Sequence, residues 1–280
     1  NRVEAMKLDQ RSEQFQWQDR SGPFRRISPE QARQWNETGC FLLKAVIDEG
    51  QIRTLRNEID PIESARDAWL REHHKGQMFI NRADDITFTA HIVKQSEPVR
   101  DFVHLPVFAD LCIDLLGNDA RLYWDQAVYK KPETYLEFPW HQDNGYTFVA
   151  PQDYLTCWLP LTPATVKNGC PWVIPGIHRS GTLEHWQTDL GFECLDKRAD
   201  NVEERAIALE ADIGDIVVFS SLTPHRTGPN LTDDVRKAYI VQFALDGAVM
   251  YPRGVDKALV QNDPERNFMI CKGGQPFRQS

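Results

Sequence analysis

The spacing of apolar residues changes near residue 120 of this chain. Upstream they recur at three- and four-residue intervals, the period of amphipathic helices. Residues 1 to about 27 are polar and charged with scattered aromatics (Phe15, Trp17, Phe24) and predict an irregular arm. Ser28-Pro29-Glu30 is a helix start, with Ser as N-cap and Pro in the first turn, and the pattern through Ala32 and Trp35 stops at Gly39. Cys40-Phe41-Leu42-Leu43 predicts a buried strand. Asp48 caps a second helix carrying Ile52, Leu55 and Ile59, with Pro61 predicted to end it. Residues 62–95, which include Trp69, His73, His74 and Met78, mix helix and strand signals and form a candidate lid. A further helix is predicted over 98–116, closed by Gly117.

Downstream, short β-rich runs appear at 121–129, 155–161, 172–174, 207–209, 216–219 and 238–243. Turns rich in Gly, Pro, Asn and Asp separate them. Many short strands after a helical region predict a β-sandwich or barrel buttressed by helices. The stretch after Gly247 is punctuated by Pro and Gly and reads as a tail or second lid. The expected organisation is therefore one domain over 1–280. Helical support and the candidate lid occupy 1–120, the β core 121–245, and the tail 246–280.

Composition narrows the function classes. At 280 residues, 41% hydrophobic and 26% charged, the chain suits a globular domain with a substantial core. Its formal net charge of -9 disfavours a nucleic-acid backbone or an anionic membrane as main partner. No apolar run approaches the ~18 residues of a membrane span. The cysteines (Cys40, Cys112, Cys157, Cys170, Cys194, Cys271) are scattered without a C-x-x-C pair and are expected to be reduced, buried thiols in a cytoplasmic protein. The chain opens on Asn1, so targeting from that end is unreadable.

Candidate chemistry centres on Trp140-His141-Gln142-Asp143, followed by His225 and Arg236. Of the eight histidines, His141 alone has an aspartate two positions on. Strand residues at i and i+2 share a face, so His141 and Asp143 are expected to reach one ion while Gln142 points away. His225, in a Pro-containing turn after a strand, is the candidate third ligand. Two imidazoles and a carboxylate suit Fe(II) and leave positions open for substrate and oxygen. Arg236 adds a cation fitted to the far carboxylate of a diacid. The competing reading is a surface His-Asp hydrogen bond beside an unrelated histidine.

The residues around these groups shift that balance. Trp158-Leu159-Pro160-Leu161, the run Asn168-Gly169-Cys170-Pro171-Trp172-Val173-Ile174-Pro175-Gly176-Ile177-His178-Arg179-Ser180-Gly181, and His225-Arg226-Thr227-Gly228-Pro229-Asn230 leading to Arg236 stand in that order. Over about residues 121–245 the chain resembles the phytanoyl-CoA dioxygenase (PhyH-like) family of Fe(II)- and 2-oxoglutarate-dependent oxygenases. The resemblance implies a double-stranded β-helix, or jelly-roll, core buttressed by N-terminal helices. It places the metal triad on His141, Asp143 and His225, and the 2-oxoglutarate carboxylate on Arg236 and Thr227. Trp158 and Gln126 match positions that face the cosubstrate. The implied reaction consumes O2 and 2-oxoglutarate, releases succinate and CO2, and oxidises an unactivated C–H bond of a small organic molecule. An aspartate at Asp143 implies hydroxylation or a related oxidation over halogenation, which in this superfamily needs a small residue there.

Other residues have plainer readings. His178 and Asn168 are expected to be structural. His73, His74 and His91 are more simply surface or packing residues than pocket ones. Tyr146 and Phe148 form either a wall over the substrate or core. The chain's acidity weighs against an acyl-CoA and for a free acid, amino-acid derivative or natural-product intermediate. Two rivals stand beside the oxygenase: a cupin-like metalloenzyme without 2-oxoglutarate, and a non-catalytic binding module on the same fold. Oligomeric state is not legible.

Overall fold

The computed structural model describes residues 6–197, 201–255 and 257–278. Helix α1 (Pro29–Thr38) begins with a reciprocal cap: Ser28 accepts from the Gln31 N–H, and the Gln31 side chain accepts from the Ser28 N–H. Gly39 ends it at a φ of 78° and turns the chain into strand β1 (Cys40–Leu43). Helix α2 (Glu49–His74) continues past Pro61, where the sequence predicted its end. Proline removes one backbone donor, but tertiary anchors flank the gap. Asp60 accepts from Tyr129 and Lys237, and buried Glu63 accepts from Thr87 and Lys131.

The candidate lid also resolves into regular structure. After α2 come strands β2 (Gln77–Met78), β3 (Asn81–Arg82) and β4 (Ile86–Ala90), and β4 is paired along β5 (Ala120–Lys130) rather than left as a flap. The single helix predicted over 98–116 is two, α3 (Glu97–Val103) and α4 (Pro106–Leu115). Pro106 disfavours helical backbone in the residue before it, and Leu105 is extended with ψ 142°.

The remaining elements are β6 (Phe138–His141), α5 (Asp143–Tyr146), β7 (Phe148–Ala150), β8 (Leu155–Pro160), β9 (Pro171–Val173), β10 (Trp186–Thr188), β11 (Gly191–Glu193), α6 (Val202–Arg205), β12 (Ile207–Ala208), β13 (Ile216–Ser220), β14 (His225–Thr227), β15 (Arg236–Leu245), β16 (Val249–Tyr251), β17 (Leu259–Val260), β18 (Met269–Lys272) and β19 (Gln275–Pro276). A large antiparallel sheet runs β1-β13-β8-β15-β5-β4-β3-β2, with β18 also on β5. A smaller one runs β12-β9-β14-β6. Together they make the expected jelly-roll core. The predicted tail is not loose: β16 pairs with β7 and β18 with β5.

The pleat of the large sheet sorts side chains into two sets. Leu155, Cys157 and Leu159 on β8, Tyr239, Val241 and Phe243 on β15, and Ala127 and Tyr129 on β5 join the cluster built on helix residues Trp35, Leu55, Phe102 and Phe108. The alternate residues, Thr156 and Trp158, Arg236 and Gln242, Gln126 and Lys130, therefore face away from the helices. Trp158, Phe219 and Ala238 meet Val173 of the small sheet there. Every site residue expected from the large sheet falls on this inner side.

The N-terminal arm is largely irregular, as expected, though its first five residues lie outside the described ones. Trp17 anchors it against Trp35 and His178. All six cysteines are buried thiols. Among the described residues no helix is long and apolar enough to cross a membrane.

Candidate active site

Two short strands carry the histidines: β6, where the His-x-Asp spacing expected a strand, and β14, where the sequence expected a turn. His141 ends β6, His225 opens β14, and the two are register partners with ring centroids 4.2 Å apart. The spacing expected Asp143 to share a strand with His141; instead Asp143 opens α5. Gln142 is nonetheless extended (φ −102°, ψ 144°), so the alternation of side chains carries across it. Asp143 Oδ1 lies 3.9 Å from His141 Nε2 and 3.5 Å from His225 Nε2. One donor atom from each of the three residues falls within 4.8 Å of the others. Gln142 points away, donating to the Gly181 and Leu222 carbonyls and accepting from the Leu183 N–H.

The hydrogen bonds around the triad set its protonation. His141 Nδ1 lies 2.8 Å from the Pro139 carbonyl, and His225 Nδ1 lies 3.0 Å from the Thr223 carbonyl. A carbonyl can only accept, so each Nδ1 carries the proton and each Nε2 presents a lone pair. Burial, reinforced by His225, pushes the His141 pKa well below its ordinary value and keeps it neutral. Thr156 Oγ1 donates to Asp143 Oδ2 at 2.6 Å and itself accepts from Gln242 at 3.2 Å. His185 Nε2 accepts from the Gln142 N–H at 2.9 Å, and burial lowers its pKa to about 4.

Deeper in the core lies a second polar cluster. Arg236 is 1% exposed. Its Nη1 donates to the Gly169 carbonyl at 3.1 Å and its guanidinium sits 5.3 Å from the Trp158 ring. Its Nε and Nη2 have no partner among the described residues, and burial draws its pKa down to about 10. Its register partner Lys130 is also fully buried, with Nζ donating to Thr227 Oγ1 at 3.1 Å and to the Gly228 carbonyl. Burial, then Arg236, lowers the Lys130 pKa far below its usual range. Buried donors are almost always satisfied. A guanidinium left with two open N–H groups fits a planar carboxylate, and so fits 2-oxoglutarate. Arg236 thus lies beside Trp158, and its register partner Lys130 reaches Thr227. Lys130 was missed: beside Lys131 it reads as a solvent-facing strand end, and only the sheet's pleat turns it inward.

A cavity of about 960 Å³ opens onto His141 and Asp143. Gln126 lines it and accepts from Trp124 Nε1 at 3.1 Å. Tyr146 lines it too, whereas Phe148 lies outside it, against Tyr251 and Arg11. His73 stacks on Trp69, His74 packs tilted against the same ring, and His91 packs on Trp124, all three outside the lining. His178 is structural, its Nε2 3.2 Å from the Asn36 carbonyl. Asn168 fixes its loop through Thr165 and Pro163. The lining residues Arg66, Trp69, Phe192 and Arg253 were missed, because they come from stretches with no clear hydrophobic period.

A jelly-roll with a His-Asp-His cluster at one end of its small sheet defines a class, the iron- and 2-oxoglutarate-dependent dioxygenases, and this chain is one. Residues 35–238 match the family described as phytanoyl-CoA dioxygenase (PhyH), and the chain belongs to that family. It is 22% identical over 246 residues to a phytanoyl-CoA dioxygenase of Arabidopsis thaliana, spanning 76% of this chain and 87% of that protein. It is 25% identical over 222 residues to a methylphosphonate hydroxylase of Gimesia maris, spanning 78% and 80%. In structure it resembles SnoK, a non-heme alpha-ketoglutarate-dependent carbocyclase of nogalamycin biosynthesis. That match has a TM-score of 0.71 at 19% identity, over 87% of this chain and 96% of SnoK.

Proposed function

We propose that residues 1–280 act as one oxygenase domain in which His141, Asp143 and His225 hold Fe(II), and Arg236 and Thr227 receive the far carboxylate of 2-oxoglutarate. Trp158 walls that slot and Gln126 faces it from the cavity side. The reaction is hydroxylation, or a related oxidation, of an unactivated C–H bond in a small organic molecule, with release of succinate and CO2. The observation that carries this reading is the pairing of two open binding surfaces. Two Nε2 lone pairs and a carboxylate converge on one point, and a buried guanidinium lacks its anion.

Bound iron and 2-oxoglutarate would supply the oxidising power; the chain's own residues supply position and dryness. The Pro139 and Thr223 carbonyls hold both imidazoles in the tautomer a metal needs. Thr156 fixes one oxygen of Asp143 and leaves the other toward the histidines. Asp143 fills the third ligand position, which favours oxygenation over halide transfer. The aromatic lining offers the reacting carbon a largely apolar wall. A reducing compartment such as the cytoplasm suits six buried thiols.

The test is an anaerobic titration with Fe(II) and 2-oxoglutarate, followed by succinate release across a panel of small organic molecules. A weak visible charge-transfer band, and succinate formed with some panel members, are expected. Absence of any band would sink the reading. Loss of 2-oxoglutarate turnover in Arg236→Ala with iron binding kept separates it from a cupin-like enzyme without that cosubstrate.

A further inference from the structure

The cavity above the triad has a charge pattern unlike that of the whole chain. The chain carries a formal net charge of -9. Yet the cavity's lining holds a single carboxylate, Asp143, and two arginines, Arg66 and Arg253. In the proposed holoenzyme iron offsets Asp143. Neither arginine makes an ion pair among the described residues. Arg66 lies 4.3 Å over the Trp69 ring, and Arg253 lies 4.1 Å over Phe192 while donating to the Gly145 and Tyr146 carbonyls. Each guanidinium is thus held over a ring and keeps N–H groups free for a ligand.

A line of rings connects this charge to the metal site. His141 meets Tyr146 edge-on at 5.1 Å, Tyr146 meets Phe192 at 5.2 Å, and Phe192 lies 6.1 Å from Phe79. Arg253, on Phe192, is therefore two ring contacts removed from His141. A ligand touching both must span that distance with something that packs on aromatic faces. The volume of about 960 Å³ stands near the upper end for cavities that enclose one drug-sized molecule.

We propose that the substrate is an amphipathic organic acid whose rigid, multi-ring apolar body lies along Tyr146, Phe192 and Phe79. Arg253, two ring contacts from His141, receives its acid group, with Arg66 a second cation on the same cavity wall, so the oxidised carbon is separated from the acid by the Tyr146 and Phe192 rings. Two arginines match a mono- or dianion; a CoA ester, with several phosphate charges, leaves most of them unpaired. This inference rests on the oxygenase reading only for where oxidation falls; the anion subsite stands on the cavity itself.

The test uses two probes that differ by one charge, an anilinonaphthalene sulfonate and its uncharged parent phenylnaphthylamine. Each is offered to the anaerobic Fe(II)- and 2-oxoglutarate-loaded protein in equilibrium dialysis, which tolerates quenching by iron. The sulfonate should bind about tenfold or more tighter than the parent, the yield of one good charge-assisted contact. Arg66→Met with Arg253→Met should bring that ratio close to one while retaining the parent dye. Phe88→Ala, in the cavity wall without touching either arginine's stacking partner, should weaken both dyes alike. Equal affinities in the parent protein, or selectivity that survives the double substitution, overturns the proposal. Absence of the charge-transfer band overturns the oxygenase reading instead, and the dialysis ratio still decides on the arginine pair.

Discussion

Replacing Arg236 with methionine should raise the stability of the metal-free protein while crippling its grip on 2-oxoglutarate. Arg236 is buried as a cation without an anion, and its pKa falls from 12.5 to about 10. For a base, a lowered folded pKa means the fold disfavours the charged form, and below about pH 10 that cost is fully present. It amounts to about 3 kcal/mol. Methionine keeps the stem's packing but loses the Gly169 hydrogen bond and the contact with Trp158, each worth about 1 kcal/mol. The net is a gain of about 1 kcal/mol, or roughly 2 °C in Tm for a chain of this size. The open Nε and Nη2 donors, charge-assisted toward a carboxylate, contribute about 3–4 kcal/mol together, so 2-oxoglutarate should bind about 10²- to 10³-fold more weakly. Urea unfolding of chelator-treated protein measures the first effect, and titration of the charge-transfer band the second. A metal-free variant less stable by more than about 1 kcal/mol, or an affinity within tenfold of the parent, would refute the reasoning.

Thr156→Val removes the donor to Asp143 Oδ2 with little change of shape and should weaken Fe(II) binding about 10- to 100-fold, measured by anaerobic metal titration, while the loss of the buried Gln242 amide's acceptor should cost about 1–2 kcal/mol of stability. Gly169→Ala should destabilise by about 2 kcal/mol or more: its φ is +93°, and a Cβ would stand 2.7 Å from the Gly228 carbonyl, disturbing the loop that binds Arg236. Acidification should destabilise the fold through His178, whose pKa is lowered from 6.5 to about 4 by burial. The unfolded chain then binds the extra proton between those values, so stability present above pH 6.5 is lost as pH falls, by about 2 kcal/mol at pH 5. Buried Asp125, raised to about 6, works the opposite way, gaining stability as pH falls through the same window, while His91 and His185, also near 4, add to His178. His178→Gln should flatten part of that loss in urea titrations at pH 7 and pH 5; an unchanged slope would count against His178 as its source.

What was legible divides along the distance over which each feature is specified. Strand and cap positions set by adjacent residues could be read directly: Ser28 with Pro29, Gly39, and the short β-rich runs of β5, β8, β13 and β15. Pro61 and Pro106 show the limit of local rules, since the same residue type was absorbed inside α2 and opened a new helix, α4, after the extended Leu105. The triad was legible because His141 and Asp143 are separated by one extended residue, and a single cross-strand pairing brings in His225. The three-residue β14 that carries His225 is too short to show a period of its own. Lys130 and Thr156 were hidden for a different reason. A polar residue in an apolar strand looks like the solvent face until a second sheet covers it. The cavity arginines are the extreme case, because Arg66 and Arg253 belong to α2 and to the segment after β16, distant stretches that line one cavity only in the folded chain. The His141–Asp143 pair is thus written in near neighbours of the chain, whereas the proposed substrate contacts come from residues that no local pattern connects, and it is there that experiments on Arg66 and Arg253 carry the most information.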